Sequence, residues 1–474
     1  MAAREHFDLI VLGAGSGNML PDRAFHDWKV AICESGKFGG TCLNVGCIPT
    51  KMYVYAADVA STIASSSTYG IDSDIAEVDW PAIRDRVFAR IDPSAESAEA
   101  YRRGPRTPNV TVFDGEAHFT GPHTIATADG DTPVEITGDV IVIATGSRPM
   151  ILPVVADSGI TYHTNETIMR LPRLPKEMII AGAGSVGLEF AHVFSSLGTT
   201  VHLINRSETL LHAKLPAADA ERLTRLAGEQ WDLHVGRTIT SLTQSTSPTV
   251  TATLDDGTVL MGEVFLAATG RVPNGDRLNL DAAGIDHDGS GRVLVDTFGR
   301  TNVPGVWALG DASNTFKLKH VANAEMRAIH DNILAADAES LTPLPHTHVP
   351  WAVFTHPQIA GVGLTPEQAA AAGWDVVSHT QEYSTTAYGW AMEDTTSVCT
   401  ITADRTSGQI LGCTILGPQA STLIQTIVTA MVWQIPYPEL ARGQYWIHPA
   451  LPEVVENCLL GLAQPTKTSG SRGQ

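Results

Sequence analysis

The chain is short of positive charge: 31 Lys and Arg stand against 51 Asp and Glu, a formal net charge of −20. Phosphate polymers are held by clustered cations that release counterions, so nucleic acid is excluded as a partner class. Long hydrophobic runs are missing as well. The first apolar stretch, Phe7 to Leu12, is too short to cross a bilayer and is not preceded by a basic region or followed by a cleavage site; the expected location is the cytoplasm, with no membrane partner. Cysteine is scarce, six in 474 residues, too few for a secreted disulfide framework. In a reducing compartment a close pair is more often catalytic or metal-binding. Cys42 and Cys47 are that pair, whereas Cys33, Cys399, Cys413 and Cys458 are scattered and read as buried small hydrophobes.

A chain of this length exceeds one core and is expected to divide into about three domains. Hydrophobic content of 43% and charged content of 17% suit packed globular structure, and only the end, Gln464 to Gln474, reads as a disordered tail.

Two strand–turn–helix units of one kind are present. The first runs Phe7 to Leu12, then Gly13-Ala14-Gly15-Ser16-Gly17-Asn18, with a second strand Val30 to Cys33 ending in Glu34. A tight glycine turn, backbone approach to a pyrophosphate at a helix N-terminus and a carboxylate for ribose hydroxyls are what a dinucleotide requires. Asn18 takes the third glycine position, but Gly13 and Gly15 remain. The second unit is complete: strand Met178 to Ala181, turn Gly182-Ala183-Gly184-Ser185-Val186-Gly187, helix through Leu197, strand Val201 to Ile204. It ends in Asn205-Arg206 where an NAD site has an acid, and a guanidinium suits the 2′-phosphate, so NADPH is favoured over NADH. The triplets Ala144-Thr145-Gly146 and Ala268-Thr269-Gly270 close the strands Asp139 to Ile143 and Val264 to Ala267. The run Thr301 to Asp311 precedes a helix expected near Leu318, and beyond Leu341 nucleotide signals stop, with an apolar helix at Leu423 to Trp433.

The segment Gly39-Gly40-Thr41-Cys42-Leu43-Asn44-Val45-Gly46-Cys47-Ile48-Pro49-Thr50-Lys51 carries the chemistry. Four residues separate its cysteines, unlike the two of zinc and thioredoxin motifs, and no nearby Cys or His pair completes a tetrahedral site. A helix opening near Leu43 would set both sulfurs on one face at an N-terminus, where the dipole favours thiolate. A redox disulfide is therefore preferred to a stapling one. Thiol–disulfide exchange also needs a proton carrier. In Ile447-His448-Pro449-Ala450-Leu451-Pro452-Glu453 a carboxylate stands five residues past a histidine; taken alone, His448 reads as an ordinary histidine.

These motifs, GxGxxN, GGTCLNVGCIPTK, ATG, GAGSVGLE, ATGR, TNVPGVWALGD and HPALPE, occur in the order found in the class I pyridine nucleotide-disulfide oxidoreductases, which the chain resembles over essentially its whole length. The resemblance implies an α/β fold: two Rossmann-like three-layer nucleotide-binding domains plus a C-terminal α+β dimerisation domain. The expected units are an FAD-binding domain over 1–149, an NADPH-binding domain over 150–271, a return to the FAD-binding/central domain over 272–340, and the dimerisation domain over 341–474. It also implies FAD and NADPH as cofactors, Cys42 as the interchange thiol that attacks substrate, and Cys47 as the thiol against the flavin. Lys51 matches the lysine near flavin N5, Glu189 its ion-pair partner and Asp311 the ribityl-binding aspartate. His448 and Glu453 match the acid–base pair given across a homodimer interface, so each active site would be shared. Gly13, Gly15, Glu34, Thr41, Lys51, Ala117, Thr145, Gly146, Gly310, Asp311, Gly182, Gly184, Gly187, Asn205, Arg206 and Gly270 fall among the expected cofactor contacts. Within the family the chain is most similar to the mycothione reductases, through Gly15 to Asn18, Pro49 to Ala57, Arg84 to Pro93 and Ile447 to Asn457. That implies mycothione, a small-molecule disulfide, as substrate, with dihydrolipoamide dehydrogenase and other low-molecular-weight disulfide reductases as rivals. Two departures stand out. Ser185 replaces an aromatic residue common over the flavin, and His212 falls where a second phosphate-binding arginine often lies.

Overall fold

In a computed structural model, which describes residues 4–245 and 249–462, the three largest of five sheets organise the chain. The tail expected over 464–474 lies outside the described residues. The first sheet follows from the run Glu5–Leu12, in which Phe7, Leu9, Ile10, Val11 and Leu12 are fully buried. A strand apolar on both faces belongs in the middle of a parallel sheet. Its parallel neighbours are Val30–Cys33 and Thr132–Ile143; Val110–Phe113 extends one side, and Val306–Ala308 joins the far side of Thr132–Ile143. Thr132–Ile143 is twelve residues long where the sequence suggested five. Its first half turns back in an antiparallel meander with Thr124–Asp129 and His118–Gly121. The run expected from Thr301 to Asp311 contracts to Val306–Ala308 followed by a short 3-10 turn at Gly310–Ala312.

The second sheet is wholly parallel, in the order Asp232–Val235, Thr200–Asn205, Glu177–Ala181, Val264–Ala267. Strict alternation divides its faces. Met178 and Ile180 pack with the helix Ser185–Ser196 through Leu188, Phe190 and Phe194, while Ile179 and Ala181 pack with the antiparallel strands Ile239–Gln244, Val250–Leu254 and Val259–Gly262. The third sheet is antiparallel and five-stranded: Trp351–Val353, Ile359–Gly363, Ile410–Leu416, Val398–Asp404, Val376–Glu382. One face of it shares a core with the helices Ala420–Val432, Tyr437–Arg442 and Pro452–Gly461. An α/β unit on a sheet that is parallel at its centre and antiparallel at one side, a second α/β unit on a parallel sheet, and an α+β unit are the architecture the resemblance implied. No helix among the described residues is long and apolar enough to cross a membrane.

One expected element is absent. The first glycine turn opens not an α-helix but two 3-10 turns, Gly17–Met19 and Arg23–Phe25. Pro21 lacks an N–H and obstructs the helical path. Buried Arg102, from the long helix Trp80–Arg103, takes the carbonyls there: its guanidinium donates to Asn18 Oδ1 at 2.8 Å, to the Asn18 carbonyl and to the Pro21 carbonyl at 2.9 Å.

Candidate active site

Both glycine turns are built the same way. A Cβ on Gly13 (φ +100°) would lie 2.6 Å from the Ala144 carbonyl oxygen, and one on Gly182 (φ +103°) 2.5 Å from that of Ala268. Each ATG triplet therefore presses its backbone onto the first glycine of its unit, leaving no room for a side chain. Gly187 completes the second turn, since a Cβ there would sit 1.8 Å from the Gly182 oxygen. In the first turn Gly17, not Asn18, makes the close approach, against Ala144 and Val11.

Around the first turn Glu34 accepts the N–H of Ala14 at 2.7 Å and of Gly36 at 2.8 Å. Asp311 Oδ2 accepts from Ser147 Oγ at 2.5 Å, and Arg271 donates to the same hydroxyl at 2.7 Å. Behind Gly310 stands Glu325, fully buried, whose carboxylate accepts the Gly310 N–H and the Asn314 amide and meets His346 Nε2 at 2.6 Å. Thr145 Oγ1 is buried without a hydrogen-bond partner, as is Ser313 Oγ. Ala117 packs, half-buried, on the cluster that also holds Leu12, Ile143 and Ala312. A cradle too tight for Cβ atoms, faced by a carboxylate and an orphaned hydroxyl, fits a dinucleotide.

The cysteines do not share one helix. Cys42 lies in the short helix Gly40–Asn44 and Cys47 begins the eighteen-residue helix Cys47–Ala64, with a break at Val45–Gly46. On a continuous helix five residues would turn the side chains about 140° apart; the break is what lets them meet. It is held by Asn165, which donates to the Val45 carbonyl at 2.8 Å, and by Asn44, whose amide donates to the carbonyls of Phe38 at 2.9 Å and Gly40 at 3.0 Å. Thr41, exposed, offers its carbonyl to the Val45 N–H at 3.0 Å. Gly40 (φ +61°) brings this segment against the first turn: a Cβ on it would stand 2.8 Å from the Cα of Gly15.

Both are free thiols joined by a hydrogen bond, and their environments drive them apart. Donating to Cys47 and being desolvated push the Cys42 thiol well up. Receiving that hydrogen bond lowers Cys47 to about 7, with the Lys51 charge assisting and burial opposing. Its position at the start of a helix acts in the same direction. Cys47 is accessible, yet protein fills most directions around it. A groove of about 540 Å³, lined by Cys47, Ile48, Lys51, Met52, Tyr55 and Arg86, opens beside it.

Lys51 Nζ reaches Glu189 Oε2 at 2.5 Å and lies 4.5 Å above the Phe354 ring, whose backbone N–H donates to the other Glu189 oxygen at 3.1 Å. Lys319 and Arg271 were not singled out from the sequence. Lys319 donates to Ser16 Oγ at 2.8 Å, and the charges of Cys42 and Cys47 act on it; burial lowers it. Arg271 is likewise lowered by burial, opposed by Asp311 and Cys47. No spacing signal links either to residues more than 220 positions earlier.

At the second turn Asn205 holds its own loop by donating to the Ser207 carbonyl at 2.7 Å, and Arg206 is exposed with no ion-pair partner among the described residues. Gly184 caps the helix that Ser185 begins, and Gly270 (φ +138°) closes the second ATG triplet. His448 Nδ1 meets Glu453 Oε1 at 2.7 Å, and its side chain is 70% exposed. Among the described residues no hydrogen bond or ion pair joins it to Cys42 within the chain. Exposed Tyr445, Ile447 and Trp433 belong to the same C-terminal region. The other four cysteines are buried, as expected; Cys33 stands alone in the first sheet, but the remaining three are not scattered: Cys399 and Cys413 sulfurs lie 3.9 Å apart, and Cys458 donates to the Cys399 carbonyl at 3.2 Å.

Residues 7–328 match the family model for pyridine nucleotide-disulphide oxidoreductases, and residues 349–458 match that family's dimerisation domain. The chain is 48% identical over 466 residues to mycothione reductase of Mycobacterium tuberculosis, covering 97% of this chain and all of that one. It is 30% identical over 430 residues to glutathione reductase of Burkholderia cepacia, covering 90% and 92% of the two chains. With dihydrolipoyl dehydrogenase of Mycobacterium leprae it shares 30% over 476 residues, covering 96% and 98%. An HOCl-induced flavoprotein disulfide reductase from Escherichia coli has the same fold, with a TM-score of 0.83 at 24% identity over 96% of this chain and 99% of that one. The chain belongs to the pyridine nucleotide-disulphide oxidoreductase family, as an oxidoreductase acting on a sulfur group with FAD and NAD(P)H as cofactors and a dimerisation domain at its C-terminal end.

Proposed function

We propose that this protein is a cytoplasmic, NADPH-dependent reductase of mycothione, working through a Cys42–Cys47 redox disulfide in a homodimer with shared active sites. The observation that carries the chemistry is the placement of two free thiols on either side of a helix break, Cys47 opening its helix one turn before the Lys51–Glu189 pair; Cys47 is lowered and Cys42 raised in consequence. The substrate rests on the 48% identity to a mycothione reductase across nearly the whole chain. Units at 1–149 with 272–340, 150–271 and 341–474 are part of this reading.

FAD would be held by Gly13, Gly15, Glu34, Thr41, Ala117, Thr145, Gly146, Gly310 and Asp311, and NADPH by Gly182, Gly184, Gly187, Asn205, Arg206 and Gly270. Bound there, FAD would supply the two-electron relay between NADPH and the Cys42–Cys47 disulfide. Lys51, fixed by Glu189, keeps a positive charge beside Cys47. Cys42, deprotonated by His448 of the partner subunit, attacks one sulfur of the substrate; a mixed disulfide forms and the substrate S–S bond breaks. The departing thiolate takes the proton back from that imidazole, which Glu453 orients through Nδ1. The Cys47 thiolate then attacks the Cys42 sulfur, breaking the mixed disulfide and restoring the internal one; the second thiolate released takes its proton from solvent. Per turnover, NADPH and one proton convert one disulfide to two thiols.

Steady-state rates with mycothione, glutathione disulfide and lipoamide, each with NADPH and then NADH, test the substrate. Preference for lipoamide with NADH would overturn it in favour of a dihydrolipoamide dehydrogenase. The shared site is tested by His448→Ala, which should spare flavin reduction in stopped flow while turnover falls at least about a hundredfold. Mixing inactive Cys42→Ser and inactive His448→Ala subunits should restore up to half of the normal activity per heterodimer, because one of its two sites is intact. Proven subunit exchange without recovery would show that His448 does not act in trans.

A further inference from the structure

On the face of the second sheet away from the helix Ser185–Ser196, four ionisable side chains form a row unrelated to the redox site. His202 belongs to the strand Thr200–Asn205; Asp232 and His234 belong to the edge strand Asp232–Val235. The parallel register sets Asp232 opposite His202, and the period of two puts His234 on the same face. Glu177, at the start of the next strand, completes the row, because Ile179 on its face pairs with His202.

The ring of His202 is held at both nitrogens. Nδ1 lies 2.6 Å from Asp232 Oδ2, and Nε2 lies 3.0 Å from Glu177 Oε1. His234 Nε2 approaches the same Asp232 oxygen to 3.0 Å but out of line for a hydrogen bond, and it is shielded from solvent without any hydrogen-bond partner. One carboxylate oxygen thus faces two imidazole nitrogens, one of them unused. Among the described residues this is the one group of three or more His, Cys, Asp or Glu whose ligand atoms lie within 4.8 Å of one another.

We propose that His202, Asp232 and His234 form a binding site for a divalent transition-metal ion of the zinc type, with Glu177 as the outer carboxylate that orients His202. Two imidazoles and a carboxylate are a donor set for such ions and a poor one for magnesium or calcium, which take oxygen cages. Ligating histidines donate their second N–H to a carboxylate, which fixes tautomer and ring direction. The Glu177–His202–Asp232 chain already has that form, with Nδ1 of His202 as ligand and Nε2–H donated to Glu177. Ligands about 2.0–2.2 Å from a tetrahedral zinc stand about 3.3–3.5 Å apart. The present contacts therefore open by less than about 1 Å, a side-chain adjustment at partly exposed Asp232 rather than a movement of strands. The fourth position is left to water. An ion there cross-links the edge strand to its neighbour just ahead of the loop Asn205–Ser207, to which the edge strand's exit is tied by Gly236 N–H to Ser207 O at 3.2 Å and Arg237 N–H to Asn205 O at 3.1 Å.

The test uses the flavin-loaded dimer carrying Cys42→Ser and Cys47→Ser, which removes the thiols as rival ligands. After chelator treatment it is titrated with zinc against a chromophoric competitor and, separately, with cobalt. One equivalent of zinc per chain is expected, untouched by excess magnesium, and the cobalt protein should show visible d–d bands without thiolate charge-transfer absorption. His234→Gln and Asp232→Asn should each abolish that equivalent while flavin content and circular dichroism stay unchanged. Glu177→Gln should keep the stoichiometry and weaken affinity about 10- to 100-fold. No equivalent bound by the parent, or uptake unaltered in all three variants, overturns the site. Should the ligand variants fail to fold, the Glu177→Gln affinity and the cobalt spectrum of the parent decide alone.

Discussion

The charge on Lys51 offers a quantitative test, because Lys51 and Glu189 act on Cys47 with opposite signs from known places. Lys51 is four residues beyond Cys47 on one helix, so the two side chains share a face about 5–6 Å apart. At an effective dielectric of about 20, a unit charge at about 5 Å is worth about 3.3 kcal/mol, or about 2.4 pH units. Glu189 lies 2.5 Å from the ammonium; taken on the side away from the sulfur, at about 7.5 Å, it returns about 2.2 kcal/mol, or about 1.6 units. Lys51 is one-third exposed, so solvent screening makes both figures ceilings. Lys51→Met should thus raise the Cys47 midpoint from about 7 by about 1–2 units. Lys51→Met with Glu189→Gln should raise it by less than about one unit, since the pair's fields largely cancel. The sign is fixed: thiolate is present above the midpoint and lost as pH falls through it. The assay is ultraviolet titration of the thiolate in flavin-loaded Cys42→Ser protein, whose hydroxyl can still donate to Cys47. Equal shifts in the single and double variants would refute the reasoning, because Glu189 would then exert no field at the thiol.

Cys42→Ser should retain FAD but lose disulfide turnover, since only the attacking sulfur is gone; turnover near the unmodified rate, measured with any disulfide the parent accepts, would reverse the thiol assignment. Arg206→Glu should raise the KM for NADPH far more than that for NADH, one charge-assisted contact to a 2′-phosphate being worth roughly 1.5–3 kcal/mol. Equal effects on the two nucleotides would make Arg206 an ordinary surface charge. Gly40→Ala places a left-handed residue at φ +61° with its Cβ on Gly15. It should cost at least about 1–2 kcal/mol and show as weakened flavin retention on gel filtration; unaltered retention would mean that the two turns can part without consequence.

The elements most legible in the sequence are those specified by local chemistry. Val30–Cys33 and Val264–Ala267 stand where their apolar runs put them, because a strand buried on both faces must be apolar at every position. Glycine turns were readable for a similar reason: Gly13 and Gly182 adopt backbone angles and close approaches that exclude a side chain. What escaped depends on residues distant in the chain. The helix expected after the first turn is replaced by 3-10 turns because Arg102, more than eighty residues later, takes the carbonyls. The break between Cys42 and Cys47 rests on Asn165, which no periodicity associates with a redox segment. Lys319, Arg271 and Glu325 are ordinary letters of their local pattern until the chain returns to the first sheet. The His202–Asp232–His234 row is equally invisible, since its members are neighbours only through parallel strand pairing across thirty residues.

The helix Cys47–Ala64 explains why the thiols sit where two nucleotide units meet. Its N-terminal side follows the Gly40 segment, which leans on the first glycine turn. Further along, it is fastened to the helix Ser185–Ser196 that the second turn begins. Lys51 pairs with Glu189, Asp58 with His192 at 2.9 Å and Ser61 with Ser196 at 3.0 Å, one contact about every turn or two. Between them Tyr53 stacks on Trp80, and Phe194 lies tilted against Trp80 with ring centroids 5.3 Å apart, all three essentially excluded from water. Stacked aromatic cores resist small displacements, because interiors are packed to crystal-like density. Cys47 is therefore set by a rigid element that follows the first turn's Gly40 segment and is fastened along its length to the second unit's helix, and Lys51, one turn in, is the residue through which the second unit reaches the thiol. A change on either side that tilts this helix must move the sulfur and its counter-charge together. That coupling makes Glu189, a buried acid far from the cysteines in sequence, part of the electrostatics of the thiol rather than only of its own helix.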